Sequence, residues 1–364
     1  MRFGLSFLPD ADPATMSAAE YFANALELCR VADDAGMDSA KMTEHLLHPY
    51  GGYCPSPLAF FAAVAASTRR LRLVTGGVLP SLHHPLQLAA EAAMIDAISG
   101  GRLEVGFARG YMPYEFAALG VPMDGSRDRF VATVETVLRL WTEEQVSVET
   151  PFFTFHDATS LPRPTQQPHP PVWIAASTAP ESFAWIGAKR FKLMATFVLT
   201  DRECLRELIA TYRESFTSAT SNGGAPVDAA ARPEVALSIP LYVAESDAAA
   251  RAEGGRFLRR YFAVWAHAAR AWNGVHTDAY TGYSHLAEVI GASTPERLQK
   301  RGSVVFGSPI RVIDHIAWLY EEFGVDHIMW QVDFGAMPRE TALRSLRTFT
   351  EHVLPMIPET SAST

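Results

Sequence analysis

The 364-residue chain is 48% apolar, 20% charged and 11% aromatic, an ordinary globular composition with ample material for one large core. With 31 basic against 40 acidic side chains it carries a formal charge of −9 and no Lys/Arg-rich run, which argues against nucleic acid or an anionic membrane surface as main partner. Cys29, Cys54 and Cys204 lack CxxC spacing and are expected as reduced thiols without structural zinc. The longest apolar run, from Leu58 to Ala66, is too short to span a bilayer, and Met1-Arg2-Phe3 opens a strand, not a signal peptide. The expected location is cytoplasmic.

Strands alternate with helices along the chain, the pattern of βα units around a parallel sheet. The first strand is expected from Arg2 to Leu8, followed by a helix opened by the capping box Ser17-Ala18-Ala19-Glu20 and closed at Gly36. A brief strand from Ser39 to Met42 leads into Thr43-Glu44-His45. Pro57 starts the second helix, and a strand from Leu71 to Thr75 stops at Gly76-Gly77. Pro85 starts the third helix, and a strand from Leu103 to Phe107 runs into Ala108-Arg109-Gly110.

A helix around Arg127 to Trp141 follows, then a small hairpin with strands from Val146 to Glu149 and from Phe152 to Phe155. The proline-rich stretch from Pro162 to Pro171 forbids helix and delivers strand five, Val172 to Ala175, with Ser177 expected to cap the next helix. Strand six spans Lys192 to Val198, and Thr200-Asp201-Arg202-Glu203 reads as another capping box. A polar loop covers 218–232, strand seven runs from Ala236 to Val243, and a long helix follows Ser246. Residues 272–305 interrupt the rhythm as an insertion, Ser308-Pro309 opens a helix, and strand eight runs from Val325 to Val332 before a closing helix. Eight strands, each followed by a helix, predict a (β/α)8 barrel over 1–358 with a late insertion and a disordered tail over 359–364.

Such a barrel works at the carboxyl ends of its strands, so the residues found there are the candidates. Arg109 offers a planar fork for a phosphate; the alternative is a surface pairing with an acid. Ser177 and Thr178 precede a helix whose N–H groups attract anions, or serve only as caps. Gly76-Gly77 lets a flat ligand approach the backbone closely, or makes a bulge. His45, beside Glu44, could share a proton near neutral pH or be structural. His83-His84 lacks a third ligand at metal spacing and is read as structural or loop-lining. No GxGxxG, P-loop, HExxH or GxSxG motif occurs.

Four segments, in this order, are similar to those of the bacterial luciferase-like flavin-dependent monooxygenases: Thr43-Glu44-His45; Thr75-Gly76-Gly77-Val78-Leu79-Pro80 with His84-Pro85; Gly101-Arg102-Leu103 leading to Ala108-Arg109-Gly110; and Pro170-Pro171-Val172-Trp173-Ile174-Ala175-Ala176-Ser177. Within the family the chain most resembles luciferase α-subunit-type chains. The resemblance implies a TIM barrel in which His45 is the catalytic histidine, Glu44 shapes the flavin pocket and Gly76-Gly77 is a non-proline cis peptide beside the flavin ring. It also implies that Arg109, Ala176, Ser177 and Thr178 hold the flavin phosphate. The implied reaction uses reduced FMN (FMNH2) from a separate flavin reductase. O2 gives a flavin C4a-peroxide, and one oxygen atom passes to a small organic substrate; a homodimer is implied as well. The alternatives are hydride transfer with F420 on the same barrel, and a non-catalytic flavin-binding protein. Leu46, Ala108 and Ala176 replace a histidine, a cysteine and a glutamate of luciferase, which puts light emission and a long-chain aldehyde substrate in question. Trp265, Trp272, Tyr280 and Tyr283 in or near the insertion either pack its lid or meet an aromatic substrate.

Overall fold

Eight strands, all paired in parallel, close into one ring: β1 (Arg2–Phe7), β2 (Ser39–Met42), β3 (Arg72–Thr75), β4 (Leu103–Phe107), β5 (Val172–Ala176), β6 (Lys192–Thr196), β7 (Val235–Val243) and β8 (His327–Gln331). The neighbour order is β7-β8-β1-β2-β3-β4-β5-β6, and the β6–β7 ladder completes the circle. This computed structural model describes residues 1–219 and 232–357, so the expected polar loop lies outside the described residues from 220 to 231, as does the expected tail. Helices between the strands cover the ring, which is the predicted TIM barrel. Burial on both faces accounts for the apolar stretches in the strands, such as Val172–Ala176, although most strands also carry polar residues such as Ser6, Lys41 and Glu104. Inside the ring Val74, Trp173, Met194, Ala236 and Met329 pack against one another, and a separate, larger apolar cluster joins the ring to its helices.

The local signals act largely where expected. Ser17 Oγ accepts from Glu20 N at 3.2 Å, and Pro57, Pro85 and Pro309 stand in the first turns of helices Pro57–Ser67, Pro85–Ile98 and Pro309–Phe323.

Four local expectations are corrected. Ser177 does not cap a helix: the helix is Pro180–Ala188 with Ala179 at its cap position, because Pro180, with its fixed φ and no N–H, sets the start. Thr200 is not the next cap either. Asp201 accepts from Cys204 N at 2.9 Å, while the buried Thr200 hydroxyl donates back to Thr196 O. The second hairpin strand is Thr154–Ala158, since Thr150 ties itself to Phe153 and uses the intervening residues as a turn. The insertion gives up its last residue to a short strand, Val305–Gly307, that pairs with the far half of β7. Before that strand the insertion is built from short turns and the helices Leu286–Gly291 and Pro295–Arg301. One further element, the helix Pro113–Ala118, had no periodicity to announce it.

The amino end of the barrel is closed by charge. Glu104, buried at the start of β4, accepts from the Arg72 guanidinium and from Trp173 Nε1, and Lys192 Nζ lies 3.6 Å from it. Burial pushes its carboxyl up, but the charges of Lys192, Arg72 and Arg2 and the indole hydrogen bond outweigh it and hold the group down to about 2. A carboxyl depressed in the fold stabilises above its ordinary value, and that contribution is lost as pH falls from 4.5 toward 2. Glu104→Gln should therefore cost roughly 2–3 kcal/mol of unfolding free energy at pH 7. Denaturant titrations at neutral pH and at pH 3 should show the gap between the two proteins closing on the acid side.

Candidate active site

Register sets the opposite face of the barrel. Met42 pairs with Thr75, Val78 bridges to Phe107, and Phe107 pairs with Ile174. The carboxyl ends of β2, β3, β4 and β5 thus stand side by side, carrying Glu44 and His45, then Gly76 and Gly77, then Arg109, then Ala176 to Thr178. All eight predicted site residues lie along this one arc.

His45 is buried, and its Nδ1 is 3.0 Å from Oε1 of Glu115, a fully buried carboxylate that also accepts from Leu46 N at 2.8 Å. Glu115 rides on the helix Pro113–Ala118, and its second oxygen has no hydrogen-bond partner. The imidazole is therefore gripped at Nδ1, with Nε2 as the ring nitrogen left for another group. Its ring lies 5.0 Å from that of Tyr50 and 5.9 Å from that of Tyr111. Glu44 has both oxygens engaged: Oε1 is 2.7 Å from His83 Nε2, and Oε2 accepts from Leu79 N at 3.0 Å. Burial lowers the His83 pKa, but the hydrogen bond and charge of Glu44 prevail and raise it above its ordinary value. His83 is thus structural, as read from the sequence, and His84 caps its helix by accepting from Leu86 N.

The Gly76–Gly77 peptide is cis, as the resemblance implied. A Cβ on Gly77 would stand 2.6 Å from Ala108 N and from Phe107 C, and one on Gly76 2.2 Å from Lys41 Cγ and Cε. The backbone of β4 leaves no room for a side chain on Gly77, while at Gly76 the obstacle is the stem of Lys41; the two glycines form a bare backbone platform between His45 and Arg109. Thr43 Oγ1 braces it by donating to Gly76 O at 2.9 Å.

Arg109 is half-buried, and no acid pairs with it among the described residues, so the surface ion pair considered from sequence is not formed. Its guanidinium instead lies 3.9 Å above the Tyr280 ring, a cation–π contact. Tyr280 donates to Gly110 O at 2.8 Å, which pins the insertion to the end of β4. From there an aromatic wall runs back to His45. Tyr280 and Tyr283 pack on Trp272, Tyr283 packs on Tyr111, Trp265 Nε1 donates to Tyr111 Oη, and Trp265 stacks on Tyr50 at 5.6 Å. The four aromatic residues singled out in the sequence pack into that wall. Ala176 and Ser177 are half-buried and Thr178 exposed, beside Arg109 at the end of β5.

Sequence reasoning missed Glu115, Tyr50, Tyr111 and Lys41. Pro113 at a first helical position was the available signal for the helix carrying Glu115, but no pattern linked that helix to His45. Among the described residues no three His, Cys, Asp or Glu side chains are grouped to hold a metal, and no helix is long and apolar enough to cross a membrane. The three cysteines are free.

Comparison with known proteins fits this geometry. The profile of the family described as luciferase-like monooxygenase matches residues 1–327. The oxygenase component of flavin-dependent trigonelline monooxygenase from Acinetobacter baylyi is 30% identical over 363 residues, 99% of this chain and 96% of that protein. The crystal structure of the monooxygenase RslO1 from Streptomyces bottropensis superposes with a TM-score of 0.83 at 38% identity, over 98% of this chain and 99% of that one. The oxygenating constituent of 3,6-diketocamphane monooxygenase from Pseudomonas putida, a type II Baeyer–Villiger enzyme in complex with FMN, shares the fold with a TM-score of 0.78 at 22% identity, over 98% and 99%. F420-dependent dehydrogenases are among the matches as well.

The platform generates a direct test. Gly77→Ala drives a methyl group into the backbone of β4 and should cost about 2–3 kcal/mol of stability by overpacking. Urea titration of the variant beside the parent chain measures it; an unchanged midpoint would show that the end of β4 yields freely.

Proposed function

The chain belongs to the luciferase-like monooxygenase family, and from that premise we propose that it is the oxygenase of a two-component system, taking reduced FMN from a separate reductase and using O2 to place one oxygen atom in an organic substrate. The observation that carries this reading is the arc from His45 to Thr178: an arginine without a carboxylate partner among the described residues, a side-chain-free platform beside it, and an anchored imidazole beyond. These residues fit a planar group with a phosphate tail. The two-component assignment draws on the A. baylyi relative, and the choice of FMN on the P. putida complex.

In this reading Arg109 grips the phosphate with a charge-assisted fork, helped by the Ser177 and Thr178 hydroxyls and the backbone at Ala176. Gly76 and Gly77 let the ring lie against the backbone. Glu44 acts one step back, holding Leu79 and His83 so that the platform keeps its shape. Bound reduced flavin would supply the activation of O2. His45, fixed by Glu115 at Nδ1, presents Nε2 to hold or move a proton at the reacting centre. The aromatic wall from Tyr50 to Tyr283 keeps water away from that centre. Tyr280 covers one face of the Arg109 guanidinium, which leaves the in-plane N–H fork as the edge to which a phosphate would bind.

Arg109→Ala should weaken FMN binding by about 1.5–3 kcal/mol, on the order of 10- to 100-fold, while leaving phosphate-free riboflavin nearly unaffected. Fluorescence titrations with both flavins decide this, and equal losses would remove the phosphate role. His45→Ala should keep FMN affinity yet lower product formation by about 100-fold or more. Tight binding of reduced F420 in place of reduced FMN, with no O2 uptake on an oxygen electrode, would favour hydride transfer over the proposed oxygenation.

A further inference from the structure

Lys41 points from β2 into the barrel and is 8% exposed. Its Nζ donates to Ser6 Oγ of β1 at 3.1 Å and to Ser238 Oγ of β7 at 3.0 Å. Both partners are neutral, and no carboxylate pairs with this amine among the described residues. The contrast lies within the same barrel: Arg2, Arg72 and Lys192 at the amino end face Glu104 and Glu234. Burial pushes the Lys41 amine down to about 8, so it stays mostly protonated at neutral pH. An ammonium has three protons to donate, and two acceptors are present here. On β8, Gln331 pairs in register with Ser6 and is 7% exposed; its side chain hydrogen-bonds with Tyr261, and its amide nitrogen has a second proton to donate. The interior below the platform thus holds an uncompensated positive charge and two donors with a proton to spare. Buried donors and charges are costly unless something satisfies them.

The placement says what would do so. The aliphatic stem of Lys41 runs along Gly76, and its amine reaches past it toward β1 and β7, on the side of the barrel away from Arg109 on β4 and Ser177 on β5. A flat ligand anchored by phosphate at β4 and β5 and lying on the Gly76–Gly77 platform would extend its far edge toward that amine. We propose that Lys41, assisted by Gln331, is the counter-charge for the anionic, reduced form of the flavin, binding the N1–C2=O edge where that negative charge resides. The inference rests on the FMN reading above and gives the chain a reason to prefer reduced over oxidised cofactor. Lys41 is then a binding residue that selects a redox state.

The test uses the full chain with Lys41→Met, with Lys41→Gln, which can still bond to a serine without carrying charge, and with Lys41→Arg, which keeps the charge. Oxidised FMN affinity is read by fluorescence, and the two-electron potential of bound FMN by anaerobic reduction against indicator dyes. Both uncharged variants should bind oxidised FMN within about twofold of the parent but reduced FMN about tenfold more weakly. That factor corresponds to a potential about 30 mV lower for a two-electron couple. Lys41→Arg should retain most of the parent's potential. Unchanged potentials in a folded uncharged variant would overturn the proposal, as would equal weakening of both redox states, which is what an amine serving only the fold would give. A parent chain that binds neither form of FMN would overturn the FMN reading itself, and this inference with it.

Discussion

Parallel closure of eight strands forces every carboxyl end onto one face and every amino end onto the other. In a ring each strand finds a partner on both sides, so no edge is left to be satisfied elsewhere. Register then fixes which residues meet. Glu44, Gly77, Arg109 and Ala176, separated by as many as 132 positions in the chain, become neighbours because Met42, Thr75, Phe107 and Ile174 are laddered together. A one-residue slip in any of these ladders would turn an inward side chain outward and dismantle the arc.

The two ends of the barrel treat charge in opposite ways. At the amino end Glu104 and Glu234 are matched by Arg2, Arg72 and Lys192. Toward the carboxyl end Lys41 and Arg109 carry positive charge met, among the described residues, by hydroxyls and an aromatic face. The cations at the amino end are thus met by carboxylates, whereas Lys41 and Arg109 have none among the described residues. The acids on the working face serve inward instead: Glu115 fixes His45, and Glu44 fixes the segment after the platform.

The insertion belongs to the site as much as the strands do. Tyr280 covers Arg109 and bonds to Gly110 O, while Trp265 and Tyr283 continue the wall to Tyr111 and Tyr50. Its rings bury against one another, which gives an irregular stretch of short turns enough apolar contact to hold a shape.

Much of this was legible in the residues. Alternating strands and helices, with prolines at helix starts, dictated the barrel, because hydrophobic period and backbone restriction are local properties. Glycines at the end of β3 and an arginine at the end of β4 marked the candidate site, since carboxyl ends are where such folds keep their chemistry. Local rules also misled where two signals competed, as when Pro180 overrode Ser177 and Asp201 overrode Thr200. What only the tertiary structure decided were the pairings across the ring. That His45 rests on Glu115, 70 positions away, that Arg109 lies on Tyr280, and that Lys41 finds two serines are facts of register and packing. No sequence period encodes them, because each depends on how separate strands and loops are brought together when the barrel closes.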